Sequence, residues 1–154
     1  MIIQVDSREK ARAIVKILDC FEQQNIKHFV SKLPVGDYMN LDNPKLVIDR
    51  KQSLLEVCNN VCQDHKRFVA ELERAREYGI KVIFLIEHSK GIKTLDDVLK
   101  WQNPRLKTSP LAVSGERLHK ILQSISWHYG CKFVFCSKTD TGKTIISLLG
   151  GAQK

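Results

Sequence analysis

Two aspartates and a lysine close the ends of the stretch Gly36–Lys51, GDYMNLDNPKLVIDRK, with Asp37 followed twelve residues later by Asp49-Arg50-Lys51. Aspartate oxygens are hard donors suited to Mg²⁺ or Mn²⁺, ions that keep several waters and need few protein ligands. Such an ion acidifies water and neutralises charge growing on a phosphate. A lysine two residues from one ligand shares its strand face and can orient the attacking water. Arg50 then points to the opposite face, free to pair with a helix carboxylate or reach a phosphate. The chemistry in view is metal-dependent phosphodiester hydrolysis. Taken singly, each residue is equally explained by a solvated hairpin tip.

The elements that must hold these groups follow from hydrophobic period and turn chemistry. Tyr38–Leu41 and Leu46–Ile48 flank Asp42-Asn43-Pro44, which predicts a hairpin. Ile2–Val5 predicts a strand that runs into a helix carrying Ala13, Ile14, Ile17, Leu18 and Phe21, with Asp6 or Ser7 as cap and Glu9 one turn in. Asp6 and Glu9 at a helix start also have a plain reading, as capping and favourable helix-end charge. Lys27–Ser31 alternates as a second strand. Leu54–Val61 and Gln63–Tyr78 read as helices, the latter ended by Gly79. Lys81–Ile86 is a continuous apolar strand ending at Glu87, and Cys131–Cys136 is a last strand. Between them lie a short helix at Thr94–Lys100, a loop Trp101–Pro110 and an amphipathic helix from Ser114 through Leu118, Ile121, Leu122, Ile125 and Trp127. A last helix is expected at Lys143–Leu149. The rhythm predicts an α/β fold, a three-layer sandwich with a central mixed sheet flanked by helices. No repeat, low-complexity tract or linker interrupts it, so residues 1–154 are expected to form one domain.

Composition sets the class. At 154 residues, 43% hydrophobic and 27% charged, the chain has the make-up of a globular protein with a core. Its apolar runs are far short of a membrane span. MIIQVDSREK places an acid at position 6 with no small-residue cleavage site, so no signal peptide and a cytoplasmic or nucleoid-associated setting are expected. The five cysteines, Cys20, Cys58, Cys62, Cys131 and Cys136, form no CxxC pair, against a disulfide framework or zinc ribbon. Cys58, Cys62 and His65 share a helical face but lack an evident fourth ligand. A net charge of +8 suits a polyanionic partner. Thr141-Gly142-Lys143-Thr144 imitates a phosphate-binding loop, but the glycine that pattern needs is Ser137 here, so no nucleotide cofactor is expected.

The combination of Val35-Gly36-Asp37-Tyr38 with Val47-Ile48-Asp49-Arg50-Lys51 resembles the signature of the XPF-type structure-specific DNA endonucleases, the Hef/XPF nuclease group of the PD-(D/E)XK superfamily. Asp6-Ser7-Arg8-Glu9 looks like that group's first acidic motif, Arg67-Phe68 with Glu71 like its arginine helix, and Leu85-Ile86-Glu87 like its strand end. The resemblance implies a restriction-endonuclease-like fold. It also implies a Mg²⁺-dependent endodeoxyribonuclease, with Mn²⁺ able to substitute, acting on branched, flapped or forked DNA in repair or recombination, here suited to a prophage or plasmid. On it, Asp37, Asp49 and Asp6 bind the metal, and Lys51, Arg50 and Glu9 complete the catalytic set. Glu71 and Arg67 stand behind them.

Four departures stand beside the likeness. Asp49 replaces a glutamate and is a methylene shorter, Leu55 stands where the group has an acid, although Glu56 follows, and Glu71 replaces a glutamine. The group's helix-hairpin-helix region has no counterpart in residues 1–154, and no helicase domain is read there either. DNA is then expected to be gripped by Lys66, Arg67, Arg105, Lys107, Arg117 and Lys120, with Trp101 stacking on an unpaired base. A second copy or another nuclease subunit is a further expected partner. The rival readings are a catalytically silent DNA-binding or scaffold module of this fold and a nuclease acting on RNA.

Overall fold

A six-stranded mixed sheet, in the order β2-β1-β3-β4-β5-β6, runs through the middle of the computed structural model, which describes residues 1–88 and 91–150. The strands are β1 (Ile2–Val5), β2 (Lys27–Val30), β3 (Tyr38–Asn40), β4 (Asn43–Lys51), β5 (Lys81–Glu87) and β6 (Lys132–Cys136). β3 is antiparallel to both β1 and β4, whereas β2 pairs with β1, and β5 with β4 and β6, in parallel. The helices are α1 (Val15–Gln23), α2 (Leu54–Cys62), α3 (His65–Glu77), α4 (Gly115–Tyr129) and α5 (Thr141–Gly150).

Strand alternation sorts the core into two. On one face Val47, Val82, Phe84 and Ile86 pack against Leu54, Val57 and Val61 of α2, Phe68 and Leu72 of α3, and Leu118 and Leu122 of α4. On the other, Ile3, Val5, Ile48, Ile83 and Leu85 pack against Ile17 and Phe21 of α1 and Ile145 and Leu149 of α5. This is the expected α/β three-layer arrangement. No helix among the described residues is long and apolar enough to cross a membrane.

Local signals explain the ends. Ser53 caps α2 by accepting the Glu56 N–H, Ser114 caps α4 by accepting the Arg117 N–H, and Gly130 ends α4 in the left-handed region. Boundaries differ from expectation in several places. No helix follows Asp6 directly: a 3₁₀ turn spans Ala11–Ile14 before α1, so Glu9 lies in a turn, because the Asp6 side chain is engaged elsewhere and caps nothing. Asn43 and Pro44 belong to β4 rather than to the turn. α5 begins at Thr141, two residues earlier than its apolar pattern shows.

The segment Trp101–Pro110 is no open loop. Trp101 is only 9% exposed and belongs to the first core, under α4. Gly115 lies against the Trp101 carbonyl, where a Cβ would collide with the backbone. Asn103 fastens the segment, donating to the Val113 carbonyl and accepting from the Arg105 N–H. The expectation that Trp101 is free to stack on a base is corrected: its indole area is better satisfied in the core than in water.

Candidate active site

Three consecutive residues at the carboxyl end of β4 send their side chains to opposite sides of the sheet. Asp49, in register with Phe84, and Lys51, in register with Ile86, lie on the face of α2 and α3. Arg50, in register with Leu85, lies on the face of α1 and α5.

The first side opens into a cleft of about 500 Å³ whose lining includes Asp37, Asp49 and Lys51, with Arg67, Glu71 and Arg74 from α3. Asp37 is clamped by its backbone: its N–H donates to Ile48 O and its carbonyl accepts from Asp6 N, each at 2.8 Å. Its Oδ2 accepts the Arg50 N–H at 2.7 Å, fixing the carboxylate to the strand that carries Asp49. Gly36 makes this approach feasible. It has φ of +77°, and a Cβ there would sit 2.9 Å from the Val47 side chain. The Gly36 N–H donates to Glu71 Oε1 at 3.4 Å, a long contact between α3 and the Asp37 turn.

The acids crowd one another. Burial, then the charges of Asp49 and Glu9, push the Asp37 carboxyl well above its ordinary range, with the Arg50 N–H pulling the other way. Burial likewise pushes Asp49 up to about 7, against the attraction of Lys51 and with the repulsion and shared hydrogen bond of Glu71. Lys51 reaches Asp49 Oδ1 at 3.3 Å and lies 5.9 Å from the centre of the Phe84 ring. Burial opposes its charge, but Asp49, Glu56 and Glu71 outweigh this and raise its pKa, so Lys51 is an ammonium at neutral pH. It can donate hydrogen bonds and neutralise charge; it is no general base.

The second side is closed except where Arg50 and Glu9 border the cleft. Arg50 Nε and Nη2 donate to the two oxygens of Glu9 at 3.1 and 3.0 Å, and Nη1 donates to Glu87 Oε1 at 3.0 Å. The Thr141 hydroxyl donates to the other Glu87 oxygen at 2.5 Å. The Arg50, Glu9 and Glu87 side chains are 5%, 9% and 5% exposed, and the Tyr38 hydroxyl is buried without a hydrogen-bond partner. Burial opposes the Arg50 charge, but Glu9, above all, raises its pKa. Of the two expected roles for Arg50, the structure realises ion pairing. Its partners come from the turn after β1 and the end of β5, not from a helix.

Asp6 is buried at the edge of the cleft with both oxygens engaged, Oδ2 by Arg8 Nε at 2.7 Å and Oδ1 by Leu33 N–H at 2.8 Å. It anchors the segment before Asp37 in place of standing open as a ligand. Arg67 and Glu71, expected behind the catalytic set, line the cleft itself, and Lys66 is exposed on α3 without lining it. Arg105, Lys107, Arg117 and Lys120 are exposed but lie on Pro104–Lys107 and α4, outside the cleft lining. Sequence reasoning missed Arg74 and gave no site role to Arg8, Glu87 and Thr141, although each stands in a motif it singled out. Arg74 falls seven residues after Arg67, two turns along the same helix face, and Glu87 falls two residues after Leu85, the strand partner of Arg50, so both spacings carried a signal.

Among the described residues, no three His, Cys, Asp or Glu side chains form a ready-made metal cage. The donor set nonetheless fits a small hard cation: the buried Asp49, the half-buried Asp37 and Glu71 from α3 offer carboxylate oxygens, with the Lys51 ammonium beside Asp49. Mg²⁺ takes one or two carboxylates and completes its shell from water and substrate.

Two solved structures share this fold. XPF from Aeropyrum pernix matches with a TM-score of 0.68 at 19% identity, covering 100% of this chain and 66% of that one. XPF from Aeropyrum pernix in complex with DNA matches at 0.70 and 19%, covering 99% and 64%. The chain thus spans a little under two thirds of the length of either. No curated protein matches its sequence. The model of the ERCC4 domain family matches residues 5–148, nearly the full length, and the chain belongs to that family.

Proposed function

We propose that the protein is a Mg²⁺-dependent DNA endonuclease that hydrolyses phosphodiester bonds in branched, flapped or forked DNA. The observation that carries this reading is the open cleft in which Asp37, Asp49 and Glu71 face one another beside the Lys51 ammonium. The DNA complex of the similar XPF supports the choice of partner. Asp37 and Asp49 hold the cation, and Mn²⁺ serves in its place. When bound, it acidifies water and neutralises charge on the scissile phosphate. Lys51 orients the attacking water and donates to the phosphate as negative charge accumulates. Glu71 and the Arg50 N–H keep Asp49 and Asp37 in position. Arg50 acts from the closed face by fixing β4 against the turn after β1. Glu56, which also lines the cleft, supplies an acid near the position that Leu55 leaves apolar.

The experiment is cleavage of labelled flap, fork and linear duplex DNA, and of the RNA counterparts, with Mg²⁺, with Mn²⁺ and with EDTA, using Asp49→Ala as control. Metal-dependent cutting of branched DNA that vanishes in Asp49→Ala is the expected result. DNA binding without cutting in either protein overturns the enzyme reading in favour of a silent binding module. Preference for RNA overturns the substrate, and equal cutting by both proteins shows a contaminating nuclease.

A further inference from the structure

Beside the cleft lies a second depression of about 580 Å³, lined by Arg8, Lys32, Leu33, Pro34, Arg74 and Tyr78. It shares Arg8, Pro34 and Arg74 with the cleft, so the two are continuous. Their linings differ in charge: the cleft carries six acids beside five bases, whereas the trough has three bases and no carboxylate among its described residues. Helix α3 runs along both. Arg67 and Arg74 line the cleft, and Arg74 and the half-exposed Tyr78 line the trough, a stripe of about 16 Å at the helical rise.

The opposite wall is unusually well fixed for an irregular segment. The carbonyls of Ser31 and Lys32 accept from Gln4 Nε2 at 3.4 and 3.2 Å. That of Leu33 accepts from Arg8 Nη2 at 3.0 Å, and that of Pro34 from Arg74 Nη1 at 3.4 Å. Both guanidiniums are thereby held in place while retaining unused donors, Arg8 with its side chain 59% exposed. Lys45 fixes the other end, donating to the Tyr78 carbonyl at 2.7 Å. Ordered cations beside a half-exposed aromatic ring suit a ligand with phosphates and flat bases.

We infer that this trough carries an unpaired DNA strand away from the cleft, with Arg8, Lys32 and Arg74 on its phosphates and Tyr78 stacked on a base. The inference rests on the nuclease reading for its direction but is tested without cleavage. A labelled single-stranded oligonucleotide, a flap and a blunt duplex are titrated by fluorescence anisotropy in EDTA over a salt series. Arg74→Ala combined with Lys32→Ala weakens single-strand and flap binding about tenfold and lowers the salt slope by about 1.4, the value for two released phosphate contacts. Tyr78→Ala weakens it about fivefold and Tyr78→Phe restores it, because stacking needs the ring and not the hydroxyl. Lys32→Glu, on an exposed side chain, repeats the loss without touching the Arg74–Pro34 bond, and melting curves confirm the fold of each variant. Wild-type affinity in these variants, or polyglutamate competing as well as DNA with no effect of Tyr78→Ala, overturns the trough. Failure of cutting in the cleavage assay strikes the nuclease reading instead, so the two fail separately.

Discussion

The two faces of β4 receive adjacent residues of one strand and treat them in opposite ways. On the α3 side, Asp49 and Lys51 stand in an open cleft with like charges held close and under-neutralised. On the α5 side, Arg50, at the edge of the cleft, is locked with Glu9 and Glu87 in a network in which every guanidinium nitrogen has a carboxylate. The open face keeps its electrostatic strain available for a cation and a phosphate, and the closed face uses charge to lock geometry. The backbone N–H of Arg50, on Asp37, and the charge of Glu9, which also borders the cleft, join the two.

Substitutions separate the two faces. The largest effect is expected from Asp49→Ala: cleavage falls about a hundredfold or more, the order of losing a metal's transition-state contribution. The urea midpoint of the metal-free variant stays at or above that of the parent, because a buried, repelled carboxylate has been removed. A cleavage rate near the parent's breaks the assignment of the open face. Arg50→Ala does the reverse first: stability drops by about 3–5 kcal/mol in urea titration, since Glu9 and Glu87 are left buried without their partner. A small loss there means that the closed face does not hold the fold.

The pH dependence of the metal-free protein sharpens the contrast. Asp49 titrates near about 7 in the folded chain against an ordinary value of 3.8, so between these values the folded state holds the extra proton. As pH rises through that window, charge is forced into the acidic cluster and stability falls. The melting temperature is expected to decline from pH 5 to pH 8, and Asp49→Asn to flatten most of the decline. A flat profile in the parent removes the claim of strain. Smallest is Thr141→Val, which deletes one hydrogen bond to Glu87 and costs about 1–2 kcal/mol, recovered in Thr141→Ser.

Where periodicity ruled, the chain was legible. Six strands, the helix ends at Gly79 and Gly130 and the strand pairing that presents Asp37 to Asp49 stand where spacing put them, although Asn43 and Pro44 joined β4 in place of the turn. The tryptophans show the limit. Trp101 looked like an exposed loop residue and is core, while Trp127, placed on the apolar side of its helix, is 91% exposed. Strict helical counting does reveal the second. Trp127 lies nine residues, two and a half turns, past the buried Leu118, opposite the stripe of Leu118, Leu122 and Ile125. No local rule reveals the first, because the Trp101 segment folds over a core assembled from distant helices.

The sequence alone determined that Asp49 and Lys51 share a face and Arg50 takes the other, since a strand's period of two allows nothing else. It likewise placed a glycine at position 36, where the chain turns with positive φ against Val47. Only the tertiary structure decided what meets those faces. Glu9, Glu87 and Thr141 on one, and Glu71, Arg74 and the Ser31–Pro34 segment on the other, come from elements far apart in the chain. Their juxtaposition depends on how helices pack across a twisted sheet, which no spacing within a single element encodes.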